Sequence, residues 1–126
     1  MAKKKDPFDL VRELGLALPG AEESTSYGSP SLKVGGKMFA CIASHSSAEP
    51  DTLGIRMSFD QRDELLAADP ETYYLKEHYV NYPCVLVRLR RVHRDALRDL
   101  LRMGWEFVKA TKTARRKKPG KRPAIG

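Results

Sequence analysis

The chain is poor in the residues that most often carry chemistry. It has three histidines and two cysteines among 126 residues. His45, His78 and His93 are far apart and there is no Cys-x-x-Cys, so no metal-ligand spacing is present and no metal or cofactor is expected. No Gly-x-Ser-x-Gly elbow occurs. Gly35-Gly36-Lys37 falls short of a phosphate loop, because Ser31 stands where the earlier glycine is required. No apolar run approaches the roughly 18 residues that cross a bilayer, which excludes a membrane-spanning helix. The start, MAKKKDPFDL, has no apolar stretch and no small-residue cleavage site, so no secretory leader is expected. Cys41 and Cys84 sit in apolar runs, and free thiols in a reducing, cytoplasmic compartment are the expectation.

Acidic residues are also missing from one region, residues 109–126. That segment holds Lys109, Lys112, Arg115, Arg116, Lys117, Lys118, Lys121 and Arg122, a charge of +8. Residues 1–5 add three lysines. The formal net charge of +7 is therefore carried at the ends, because residues 6–108 hold 12 basic against 16 acidic residues. The length suits one domain with a hydrophobic core of its own. The expected organisation is a basic arm over 1–5, a single domain over 6–113, and a disordered basic tail over 114–126 that lacks any apolar period.

Asp6-Pro7 is a helix start, followed by Phe8, Leu10, Val11 and Leu14 at helical spacing. Glu22 to Tyr27 is a strand candidate that Gly28-Ser29-Pro30 breaks or bends. Ser31 to Gly35 alternates, Gly35-Gly36 fits a two-residue hairpin turn, and Lys37 to Ala43 returns. Leu53, Ile55 and Met57 alternate in a third strand. Asp60 caps a short second helix that Asp69-Pro70 closes. Tyr73 to Tyr79 reads as a strand or an irregular aromatic segment, and Cys84 to Arg90 as a clear strand. A long helix runs from Arg94 to about Thr113, with Gly104 inside it at a cost of about 1 kcal/mol relative to alanine, a residue that permits close packing against the sheet. The order α-β-β-β-α-β-β-α implies an α+β fold, a mainly antiparallel sheet with helices packed on one face.

The segment LPGAEESTSYGSPSLKVGGKMFACIA, residues 18–43, resembles the opening of the MmcQ/YjbR family of small α+β proteins. The resemblance covers most of residues 8–108 and implies a fold of the same order. Members of that family are commonly labelled DNA-binding by structural analogy, so the resemblance implies contacts to DNA. Many members carry an Asn-Lys-Lys-His-Trp-like segment after the second helix. Here that region reads YYLKEHYVNYPCVLVRL, and no role carries over.

Strand alternation supplies the candidate site. One face of the sheet receives Leu32, Val34, Leu53, Ile55, Met57, Val85, Val87 and Leu89. The other receives Lys33, Arg56, Arg88 and Arg90, with Lys37, Phe39 and Cys41 from a further strand: cations with an aromatic among them, a composition suited to nucleic acid. The competing reading is a solvated face whose long basic stems cover the sheet. Arg115, Arg116, Lys117 and Lys118 in the tail complete the candidate phosphate contacts. Glu23, Ser26 and Tyr27 form a polar cluster without an assignable role, and Glu22-Glu23 cannot act as a carboxylate pair, because neighbours on a strand face opposite ways. The expectation is a non-enzymatic, cytoplasmic, sequence-nonspecific DNA-binding protein, monomeric. The alternative is a protein-interaction or chaperone-like adaptor using the open sheet face or the tyrosines at 73, 74, 79 and 82.

Overall fold

Pro7 opens the first helix because its missing N–H is one that no helical partner would have met. This computed structural model describes residues 7–26, 28–43 and 48–117. Helix α1 spans Pro7–Gly15 and buries Phe8 and Val11 completely. Strands β1 (Ala21–Ser26), β2 (Ser29–Val34), β3 (Lys37–Ile42) and β4 (Thr52–Arg56) follow. Helix α2 spans Phe59–Ala68, β5 is the pair Tyr73–Tyr74, a 3-10 turn covers Glu77–Tyr79, β6 spans Cys84–Arg88, and α3 runs from Arg94 to Lys117. The strand candidate at 22–27 is a full strand, so four strands and not three precede α2.

All the strands pair antiparallel in one sheet of order β1-β2-β3-β4-β6-β5. The β2–β3 hairpin turns on Gly35 and Gly36, at φ of 60° and 82°. This is the positive-φ pair that the two glycines were expected to supply. Residues opposite one another share a face. One row, Leu32–Ala40–Ile55–Val85, and a second, Ile42–Leu53–Val87–Tyr73, cross the sheet on the side covered by α1 and α3. Leu97, Leu100, Leu101 and Val108 of α3 close that core. Each such side chain taken out of water contributes on the order of 1.5–3 kcal/mol.

Three sequence expectations change here. Phe39 does not join the cations on the opposite face. Leu32 pairs with Ala40 but Lys33 pairs with Met38, so β3 bulges at Phe39, and its ring is fully buried in the core. A bulge breaks strict alternation, so counting by twos fails across it. The cap of α2 is Ser58 and not Asp60: the Ser58 hydroxyl accepts from the Gln61 backbone N–H, and the Gln61 side chain accepts from the Ser58 backbone N–H. This Ser-x-x-Gln capping box satisfies two donors that Asp60 could not reach. Finally, α3 continues to Lys117, four residues beyond the expected boundary at Thr113. Ala114, Arg115, Arg116 and Lys117 are good helix formers, and cations favour a helix C-terminus. Residues 1–6 and 118–126, which include the N-terminal arm and most of the expected tail, lie outside the described residues.

Candidate nucleic-acid interface

The second sheet face carries the row Ser24–Ser31–Cys41–Gly54–Leu86–Tyr74, which crosses every strand. It is largely buried: Ser31 and Leu86 are fully excluded from solvent, and Cys41 and Tyr74 are 7% and 8% exposed. This row is therefore largely closed to solvent, unlike the open sheet face named as one surface of the adaptor alternative. Burial also pushes the thiols of Cys41 and Cys84 above their ordinary pKa, so both are weak nucleophiles.

The expected strand cations do not form one patch. Lys33 stands opposite Glu22 on β1, while Lys37 stands opposite Val34 and so shares the helix-covered side by register. Arg56, at the end of β4, reaches the ring of Phe107 on α3 at 5.9 Å. Arg88 lies at the other end of the sheet, since it pairs with Thr52 whereas Arg56 pairs with Cys84. Arg90 falls in the turn after β6 and donates to Asp51 at 3.1 Å.

Arg88 is the best-anchored polar residue described. Its Nε and one terminal nitrogen donate to the two oxygens of Glu49, each at 2.8 Å. The other terminal nitrogen donates to the carbonyls of Glu71 at 2.8 Å and Pro70 at 3.3 Å. The guanidinium also lies 4.3 Å from the centre of the Tyr74 ring. The Tyr74 hydroxyl accepts from the Glu49 backbone N–H at 2.8 Å and meets the buried Thr52 hydroxyl at 2.6 Å. Hydrogen bonding to Arg88 holds the Glu49 carboxyl below its usual range, and the same bond raises Arg88. Four of the five guanidinium donors are thus already in use on protein acceptors. Arg88 ties the segment before β4, the turn before β5 and β6 together. Beside it, a cleft of about 350 Å³ is lined by Glu49, Pro50, Asp51, Arg88, Arg90 and Arg91, with carboxylates offsetting most of its positive charge. Sequence reasoning missed this network. The signal was the Thr52/Arg88 and Tyr74/Leu86 registers, which depend on knowing which strands are neighbours.

Among the tyrosines at 73, 74, 79 and 82, the first two are buried and Tyr82 is 56% exposed. Glu23 is paired with Arg12 of α1 in a two-pronged contact at 2.8 and 3.0 Å, which holds Glu23 below its usual range. Ser26 bonds the buried Ser31 at 3.0 Å. The Glu23–Ser26 part of that cluster is therefore occupied by packing contacts, while Tyr27 lies outside the described residues.

The remaining candidates lie on α3. Arg98 and Arg102 have acidic neighbours on the same helix, Asp95, Asp99 and Glu106. Past Glu106 no acid remains. Lys109, 4.2 Å over the Trp105 ring, then Lys112, Arg115, Arg116 and Lys117 follow on the same unbroken helix. Lys118 lies outside the described residues.

A model of the protein family described as YjbR matches residues 16–107. The chain belongs to the YjbR family. No curated protein matches it. Among solved structures it is similar to the crystal structure of Deinococcus radiodurans protein DR2400, whose family-model domain is DUF419. The TM-score is 0.68 at 24% identity, covering 90% of this chain and 91% of that one. At that identity the similarity shows a shared fold, in agreement with the α+β architecture read from the sequence. The YjbR match also divides the charge. Residues 16–107 hold 11 basic and 13 acidic residues, so the positive excess of this protein lies outside the matched stretch.

Proposed function

We propose that this YjbR-family protein binds DNA without catalysing a reaction, and that it does so through the basic end of α3 more than through its sheet. The observation that carries this reading is the continuity of α3 to Lys117, with five cations in residues 109–117 and no acid after Glu106. Along such a helix the five cations span about 12 Å of axis, roughly one per 3 Å, comparable to the roughly 3.4 Å axial spacing of phosphates along one DNA strand. Phosphates would be neutralised one by one, and little sequence information would be read, because backbone contacts position a protein without specifying bases. The sheet cations support a smaller share: Arg88 and Arg90 are held by carboxylates, and Lys33 and Arg56 are separated from them along the sheet.

The test is fluorescence anisotropy with two labelled duplexes of equal length and unrelated sequence. Similar affinity for both is expected, with a large loss when Lys112, Arg115, Arg116 and Lys117 become Gln. A small loss is expected for Lys33→Gln with Arg56→Gln. A strong preference between the duplexes, or absence of binding at low salt, refutes the reading.

A further inference from the structure

The most exposed apolar surface among the described residues is not on the sheet but around α2. Phe59 and Val80 are each 44% exposed and Tyr82 is 56% exposed. Arg62 joins them: its guanidinium lies 4.7 Å from the Phe59 ring centre and donates to the Val80 carbonyl at 2.8 Å and the Tyr82 carbonyl at 3.5 Å. Beside this patch, α2 turns an acidic face outward. Asp60, Asp63 and Glu64 are spaced three and four apart, so they share one side of the helix, and all three are exposed. No residue of α2 is buried. Asp60 and Glu64 have no ion-pair partner among the described residues. Residues 59–82 together hold six acidic and two basic residues.

The chain carries a segment of complementary chemistry. Residues 118–126, KPGKRPAIG, hold three cations, no acid, and an apolar Pro-Ala-Ile near the end. Helix α3 crosses the end of β4 at Gly104, where an added Cβ would lie 3.1 Å from the Arg56 carbonyl oxygen. Arg56 is two residues before the Ser58 cap of α2. From Phe107, over which Arg56 sits, α3 rises about 15 Å to Lys117, and nine further residues reach about 30 Å when extended. That reach is about twice the rise of the helix past Phe107.

We propose that the acidic outer face of α2, with the Phe59–Val80–Tyr82 patch, is a docking surface for the chain's own basic segment 118–126. Lys121 and Arg122 meet Asp60 and Glu64, and Ala124-Ile125 cover the exposed rings. Attraction between exposed charges weakens with salt, so docking is strongest at low ionic strength. A polyanion competes for the same cations, and this consequence rests on the DNA-binding reading, whereas the docking itself does not. If the segment is docked nine-tenths of the time, its release raises its apparent affinity for a polyanion about tenfold.

The test compares backbone amide NMR spectra of the full chain with a variant carrying Lys118→Gln, Lys121→Gln and Arg122→Gln. Beyond the substituted residues and their sequence neighbours, shift differences confined to residues 59–67 and 80–82, and vanishing at high salt, are expected. In Asp60→Asn with Glu64→Gln, a change mild enough to leave the helix intact, the amides of residues 118–126 should move. Differences absent from α2, or differences that grow with protein concentration as docking between copies would require, overturn the proposal. A duplex titration of the α2 variant at low salt forms a second arm. Tighter binding than in the parent supports competition. Unchanged binding beside positive NMR shifts removes the competition and leaves the docking surface standing.

Discussion

Replacing Gly104 by alanine sets two effects of opposite sign against each other. In a helix free of neighbours the change gains about 1 kcal/mol, because glycine loses more backbone entropy on folding and is a poor helix former. In this fold the added Cβ would lie 2.9 Å from Ile55 Cγ2 and 3.1 Å from the carbonyl oxygens of both Phe39 and Arg56. The two oxygens belong to the backbone of β3 and β4, which cannot rotate away as a side chain can. Relief requires α3 to lift off the sheet, and α3 carries Leu97, Leu100, Leu101 and Val108 of the core. Overpacking of this kind costs about 1–3 kcal/mol. The steric cost wins, for a net loss of about 1 kcal/mol and a fall in thermal midpoint of about 4 °C. Urea and thermal denaturation followed by circular dichroism measure it. A Gly104→Ala variant more stable than the parent would show that α3 does not approach the sheet at this residue, and the packing described here would be wrong.

Other outcomes follow from the same structure. Ser58→Ala removes the capping box of α2 and should cost about 1 kcal/mol, read as a shift in urea midpoint; an unchanged midpoint refutes the assigned cap. Arg88→Lys should lower the thermal midpoint nearly as much as Arg88→Ala, since an ammonium cannot hold both oxygens of Glu49 and two carbonyls at once, while Arg90→Ala leaves it nearly unchanged. Equal effects at 88 and 90 would remove the anchoring role of Arg88. Glu23 and Glu49 both have folded values held below the ordinary carboxylate range by hydrogen bonds from Arg12 and Arg88. Their contribution is complete above that range and is lost as pH falls through the lowered values. Carboxyl NMR titrations should show both titrating below the ordinary carboxylate range, and ordinary titration at either position refutes its pairing.

Much of the fold was legible because local signals agreed with one another. Gly35-Gly36 specified a hairpin, the stripe of Leu97, Leu100, Leu101 and Val108 specified a helix laid on a sheet, and Gly104 pointed to close approach. The site was less legible for a physical reason. Alternation places side chains on faces only while the ladder is regular, and the bulge at Phe39 turned that ring from the supposed cationic face into the core. Charge on a strand also says nothing of its partner. Arg88 looks like a free cation until the register brings Glu49, 39 residues away in sequence, to its guanidinium. The helix extension to Lys117 was hidden by composition, since Lys/Arg-rich sequence reads as solvated chain although those residues form helix well.

The salt dependence of duplex binding by the full chain tests the central claim most directly. Each phosphate that a variant no longer neutralises lowers the slope of log K against log salt by about 0.9. If the end of α3 carries the interaction, changing Lys112, Arg115, Arg116 and Lys117 to Gln should reduce that slope by about 3 to 4 in a chain that remains folded. A slope unchanged by those four substitutions, with affinity retained, would contradict the account and return the interface to another surface of the protein.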